Sequence, residues 1–319
     1  RHSLIPIPTP PNSERSIMVA AKKISNKKKK IRESSDDLDI PDVGEFNEPP
    51  PNFTDYCTII YGQKGIGKTT LCSQLSPKAL VCMFEDRFNT KIRMKGFPSA
   101  SVSDMENGSP NPWDSFKKVV DKCLNQEVEV DLLVIDSIDL AYQACLNHVC
   151  LDNGIEHPGS VNDFGATWNE VKTEFRTVME AIRKSPMVGL VFTSHCNEDR
   201  MEINSASKEQ LKKLTVYSPS CSKAAQEYVR QSCDYGFFYG KHGKHRGLHF
   251  RWEDNIWTAC GNDDHFLDEH GPIAILEIPS KLSAGKAFLD AFNNRPSTTV
   301  LEYFEDSALE EPEEEEAVA

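Results

Sequence analysis

Four short places in this chain hold residues whose types and spacing could do chemistry. The first is Gly62-Gln63-Lys64-Gly65-Ile66-Gly67-Lys68-Thr69-Thr70, which fits G-x-x-x-x-G-K-[ST] at every fixed position. Glycines at these intervals let consecutive backbone N–H groups face one centre, and a helix opening at Lys68 adds partial positive charge. That is a cradle for a phosphate chain. Lys68 would reach the outer phosphates and the Thr69 hydroxyl would ligate Mg²⁺, so Gly62–Thr70 is the expected nucleotide-binding set. A plain Gly-rich turn is the blander account. The joint match of glycines, Lys and Thr between a strand and a helix weighs against it.

The second place is Asp136, which closes the apolar run Leu132-Leu-Val-Ile. A strand ending in Asp downstream of a P-loop fits the Walker B acid that holds the Mg²⁺ shell, so Thr69 and Asp136 are the expected metal residues. The third is Glu85, after Ala79–Phe84. A carboxylate on a strand beside the P-loop strand could polarise an attacking water; a surface Glu in a polar loop is the alternative. The fourth is His195, at the end of Met187–Ser194. A polar group there could touch a γ-phosphate and report its loss to the next loop, or serve only as a structural histidine. Lys68, Glu85 and His195 are therefore the candidate catalytic residues.

Positioning these groups requires strands that end near one another. Cys57–Tyr61, Ala79–Phe84, Asp131–Asp136 and Met187–Thr193 read as buried strands. Helices are expected over Trp113–Leu124, from about Trp168 to Lys184, near Lys223–Gln231 and over Gly285–Phe292. Trp168, Val171, Phe175, Val178, Met179 and Ile182 fall on one helical face. Asp139 is expected to cap the helix after Asp136. Residues 150–164 and the polar stretch after His195, with Lys208, Lys212 and Lys213, read as loops. Beyond Asp234, short alternating runs at 235–239, 248–252, 256–259 and 273–278 read as strands. The expected fold is α/β: a mostly parallel central sheet with helices on both faces and a β-rich C-terminal part.

Composition sets the outer limits. The net charge of −13 is uneven: nine acids fall between Glu302 and Glu316, leaving about −4 (−13 + 9) elsewhere. Residues 296–319 are expected to be a disordered acidic tail that solubilises the chain or docks a protein partner. Residues 1–52 read as a disordered arm, Pro-rich at both ends, with a basic block at Lys22, Lys23, Lys27–Lys30 and Arg32 followed by acids. Met18 leaves residues 1–17 open as an upstream artefact. The folded domain is expected over 53–295. No apolar run reaches the roughly 20 residues of a membrane helix, and no secretory signal is visible. A P-loop chain with ten cysteines and no C-x-x-C is expected in the reducing cytoplasm. Cys145, His148 and Cys150, with His157, match no standard zinc spacing.

In order along the chain, Gly62–Thr70, Phe84-Glu85, Leu132–Ser137, Asp163-Phe164-Gly165 with Trp168, and Phe192–His195 resemble the phage RecA-like nucleotide-binding ATPases. The resemblance covers roughly 53–239. It implies a RecA-like ATPase core acting in phage DNA recombination or single-strand handling, with ATP and Mg²⁺ as ligands. It also implies single-stranded DNA facing the loops after the third and fourth strands, and assembly into rings or filaments. By that resemblance Asp136 is the Walker B acid, Glu85 the base and His195 the sensor; in a phage-encoded protein the location is the host cytoplasm. The chain departs from the pattern twice. Trp257–Asn262 offers no Lys or Arg for a neighbour's nucleotide, leaving Lys244, Arg246 or Arg251 as substitutes, and the presumed DNA loops are not basic. A local patch of His242, Lys244, His245, Arg246 and Arg251 lies near Phe250 and Trp252 and could pair charge with base stacking. A nucleoside or nucleotide kinase, with Arg87 and Arg93 in a lid, and a non-hydrolysing nucleotide switch remain the alternatives.

Overall fold

Strand β1, Cys57–Gly62, is buried along its whole length, as a strand covered on both faces must be. The computed structural model describes residues 50–84, 95–98, 111–204, 211–242, 244–251, 256–261, 264–279, 282–296 and 298–303. Beside β1 lie β5 (Gly189–Ser194) on one side and β8 (Tyr235–His242) on the other, both parallel to it. Beyond β5 come β4 (Leu132–Asp136), β2 (Ala79–Met83) and β3 (Lys95–Pro98), again all parallel. Beyond β8 the sheet turns antiparallel through β9 (His245–His249) and β12 (Gly271–Ile278). The short β10 (Ala259–Cys260) pairs with β8, while β11 (Leu267–Asp268) and β13 (Val300–Tyr303) pair with β12. The parallel sheet and late β-rich part follow the sequence pattern.

The two-residue strand period divides the core. Ile59, Leu133, Ile135, Leu190 and Phe192 face one layer. It is built from α2 (Pro112–Leu124), α3 (Ile138–Asp152), α4 (Ala166–Arg183) and α5 (Lys223–Ser232). Ile60, Leu132, Val134 and Val191 face the other, with α1 (Lys68–Cys72), α6 (Ala284–Phe292) and the aromatics Phe237, Phe250 and Phe266. Helix α4 buries the expected stripe of Val171, Phe175, Val178, Met179 and Ile182, and Phe175 stacks on Trp113 with centroids 5.9 Å apart.

Five expectations need correction. First, β2, which leads toward Glu85, is separated from β1 by β5 and β4, so it is not the neighbour of the P-loop strand. Strand β5, buried from Leu190 to Ser194, takes that place. Second, the stretch after His195 is not a loop. Strand β6 (Cys196–Asn204) pairs antiparallel with β7 (Leu211–Pro219) through the register Cys196↔Pro219 to Asn204↔Leu211. Its charged residues mask an alternation carried by Met201, Ile203, Leu214 and Val216. Third, α3 continues to Asp152, so the loop expected over 150–164 begins three residues later. Fourth, Ser137 occupies the N-cap position of α3 and Asp139 sits inside its first turn. Fifth, β13 lies within the stretch expected to be tail, where Val300 packs against the core. The basic arm, Arg87, Arg93, Trp252 and the run Glu305–Glu316 lie outside the described residues.

Helix α6 is fastened to the turn that follows the P-loop helix through one side chain, Gln74. Gln74 Oε1 accepts from the Ser283 hydroxyl at 2.9 Å and from the Gly285 backbone N–H at 3.0 Å. A Cβ on Gly285 would stand 2.3 Å from the Gln74 Cβ and 2.9 Å from its backbone carbon. Gly285→Ala should therefore force α6 off α1 and destabilise the fold by about 1–3 kcal/mol, the range for overpacking. Urea unfolding followed by circular dichroism checks this; a midpoint equal to the parent's would show that the two helices are not in close contact.

Candidate active site

The turn from β1 into α1 is made by residues that most side chains could not replace. Gly65 and Gly67 have φ of 78° and 106°, in the left-handed region that favours glycine. Gly62 is needed for closeness instead: a Cβ there would lie 1.9 Å from the Tyr239 carbonyl oxygen. Within the turn, the buried Lys68 Nζ donates to the carbonyls of Gly62 at 2.9 Å and Gln63 at 3.1 Å. These bonds fold the ammonium back across the loop mouth.

The next residue joins the two halves of the site. Thr69 Oγ1 donates to Asp136 Oδ2 at 2.6 Å, and Thr193 Oγ1 donates to Asp136 Oδ1 at 2.5 Å. Asp136, the last residue of β4, thus has one oxygen held from α1 and the other from β5. Neighbouring strands make this possible: Phe192 pairs with Ile135, so Thr193 comes up beside Asp136. Thr193 escapes the sequence pattern because it reads as one more β-branched strand residue. Only its fully buried hydroxyl beside a strand-end acid could have signalled it.

His195 and Asp139 form a second group at the end of β5. The Ser194 hydroxyl donates to both Asp139 oxygens at 3.2 and 3.3 Å, and the His195 backbone N–H also bonds that carboxylate. The His195 carbonyl accepts the Ser220 N–H at 2.9 Å, which fixes the foot of the β6–β7 hairpin. Burial raises the Asp139 pKa above the usual carboxylate range, against the opposing His195 and Ser194 bonds. Burial, followed by the nearby Asp136 charge, pushes the Cys72 thiol well up behind Lys68. The hairpin also reaches the P-loop, where Gln63 Nε2 donates to Glu198 Oε1 at 3.2 Å.

Thr69, which follows Lys68 in the chain, and Asp136 therefore come together, with His195 one residue beyond the strand that supplies Thr193. Glu85 lies outside the described residues. The basic patch divides: Lys244, His245 and Arg246 line a cavity with the P-loop, whereas Phe250 and Arg251 are buried and Phe250 cannot stack on a base. Among the Cys145, His148, Cys150 set, both thiols are buried in α3 and His148 faces Asp114, Asp152 and Glu174. A larger cavity of about 540 Å³, lined by Tyr142, Phe175 and Tyr228, contains none of the site residues.

A family model described as an AAA domain matches residues 54–258, which is more than half of the chain and includes every site residue described above. No curated protein sequence matches it. Among solved structures, a prototypical ATPase from the type III secretion system of pathogenic bacteria is 14% identical, with a TM-score of 0.36. That match covers 58% of this chain, which spans about half (51%) of the secretion ATPase. The RadB recombinase is 15% identical with a TM-score of 0.32, covering 63% of this chain and 83% of its own. The described helices are neither long nor apolar enough to cross a membrane.

Asp139 makes the site pH-sensitive in a defined direction. Its pKa is higher in the fold than in the unfolded chain, so the fold holds that proton more tightly. The stabilisation is complete below the unfolded value and is lost as pH rises through the folded one. Asp139→Asn removes this titration and keeps an oxygen for Ser194. The stability of the variant relative to the parent should rise as pH increases from about 4, the ordinary Asp value, upward. Urea midpoints of both proteins across that range check it; a difference that does not change with pH would sink the assignment.

Proposed function

We propose that this chain, which belongs to the AAA domain family, binds ATP with Mg²⁺ and hydrolyses it. The observation that carries this reading is the Asp136 carboxylate clamped between the Thr69 and Thr193 hydroxyls, Thr69 being the residue that follows Lys68. A hydroxyl and a carboxylate 2.6 Å apart are hard oxygen donors, and two such ligands suit Mg²⁺, which keeps waters and phosphate oxygens for its other positions. Among the described residues no group of three His, Cys, Asp or Glu side chains competes as a metal site. When bound, the ion neutralises charge on the outer phosphate oxygens.

The chain's own residues have separable tasks. The backbone N–H groups of the Gly65–Thr69 turn receive the phosphates, while Thr70 follows in the first turn of α1. Lys68 exchanges the carbonyls of Gly62 and Gln63 for phosphate oxygens, which makes the ammonium a charge-assisted donor. Thr193 occupies the second oxygen of Asp136 and so keeps the first aimed at Thr69. Glu85 is the base that orients and deprotonates the attacking water. His195 follows the γ-phosphate and passes its loss to the β6–β7 hairpin through the Ser220 bond.

The biological setting we assign is DNA recombination or replication of the phage type, with single-stranded DNA as partner. The ordered set of motifs and the hairpin at the end of β5 support this setting. Balanced charge in 197–215 makes DNA contact by one subunit weak, so rings or filaments would let several subunits share the phosphates. The acidic C-terminal run is assigned to a protein partner, and the cytoplasm is the assigned compartment.

Glu85→Gln should lower ATP turnover roughly 10²–10⁴-fold while leaving ATP binding intact, as expected on removal of a general base. Turnover of the parent should rise with single-stranded DNA, and less so at higher salt. Steady-state phosphate release with and without a single-stranded oligonucleotide, at two salt concentrations, measures both effects. Undiminished turnover in the variant would remove Glu85 from the mechanism. Phosphate transfer to a nucleoside would replace hydrolysis by kinase chemistry, and a parent without turnover would be a binding switch.

A further inference from the structure

The hairpin of β8 and β9 carries its turn to the mouth of the P-loop. Lys241, Lys244, His245 and Arg246 line one wall of a cavity of about 420 Å³, and Gln63, Lys64, Gly65 and Ile66 line the other. Arg246 comes closest: its Nη1 lies 3.5 Å from where a Cβ on Gly67 would stand. Two contacts hold it there. Its Nη2 donates to the Pro279 carbonyl at 3.4 Å, and its guanidinium carbon lies 5.9 Å over the Tyr239 ring. Tyr239 in turn presses its carbonyl on Gly62, so the arginine and the loop share one support.

The charges in this place work against the fold alone. Lys241 and Arg246 are directly opposite in the β8–β9 register, an arrangement in which like charges repel. Lys64 and Lys244 add two more cations to the same cavity, and among the described residues no carboxylate lines it. Two described acids flank it: Glu277 is paired with the His245 imidazole at 3.2 Å, and Glu198 accepts from Gln63 Nε2 at 3.2 Å. Four fixed positive charges around a phosphate-binding turn are unfavourable until an anion enters, and then each becomes a donor.

We propose that Arg246, with Lys241 and Lys244, is a same-chain cationic arm that contacts the triphosphate tail of the nucleotide seated at Lys68. This inference rests on the proposed nucleotide-binding function and adds residues that the Walker motifs do not contain. These cations stand against the chain's own loop, so nucleotide affinity gains a contribution that needs no neighbouring subunit.

Arg246→Ala and the double variant Lys241→Ala/Lys244→Ala should each weaken binding of Mg²⁺-ATP about tenfold, with Arg246→Lys recovering part of the loss. Equilibrium dialysis with labelled ATP measures this, alongside thermal unfolding to confirm folding and Lys68→Ala as the reference. The two lysines are exposed, so the double variant tests the arm even if Arg246→Ala unfolds. Parental ATP affinity in the variants, with binding abolished in Lys68→Ala, would overturn the arm and leave the nucleotide site intact. Fluorescence anisotropy with a single-stranded oligonucleotide completes the test. Loss of DNA binding with unchanged ATP affinity would overturn the arm as well, assigning these cations to nucleic acid. A parent that binds no ATP would end both this inference and the function on which it rests.

Discussion

The structure turns on one carboxylate held from two sides. Asp136 ends a buried strand, where an unpaired charge would be costly, and two hydroxyls satisfy its two oxygens. One donor follows the P-loop lysine in sequence and the other lies on β5. Asp136 cannot take both bonds unless β5 lies beside β4 and also beside β1. The order β1–β5–β4 is thus the topological counterpart of a local hydrogen-bond requirement. Covering helices on both faces follow in turn, because strands this central expose no edge to water.

From that centre, contacts lead outward along two routes. On one side, Gln63 meets Glu198 of the β6–β7 hairpin, and Ser220 holds that hairpin to the end of β5. The Tyr61 hydroxyl also donates to the Tyr217 and Trp257 carbonyls, tying the end of β1 to the same region. On the other side, Gly62 touches Tyr239, which supports Arg246. The P-loop lies between two antiparallel hairpins and has a polar contact with each. Rearrangement of Lys68 or Gln63 on phosphate binding would therefore be felt by both.

Much of this was legible from residue order, for definite reasons. Gly65, Gly67, Lys68 and Thr69 are recognisable because backbone conformation and phosphate chemistry leave few substitutes. The stripe from Val171 to Ile182 is recognisable because a long helix repeats its period several times. Other features depended on neighbours that sequence does not display. Thr193 looks like packing until β4 is placed beside it. Glu85 was expected on a strand next to β1, but adjacency depends on which crossover inserts β5, and no local pattern encodes that. The β6–β7 hairpin was hidden by its charges, which can alternate with apolar residues without forming a visible apolar run. Asp139 resembled a cap because acids are common at helix starts, whereas Ser137 already filled that position.

The departure at Trp257–Asn262 can now be placed in the fold. Trp257 is bound to Tyr217 and Tyr61, and β10 is a two-residue strand pressed on β8, so this stretch is structural support for the P-loop strand. The basic residues lie instead on the β8–β9 turn, at a cavity shared with their own P-loop. At the P-loop mouth the proposed cationic arm would act on a nucleotide within one subunit.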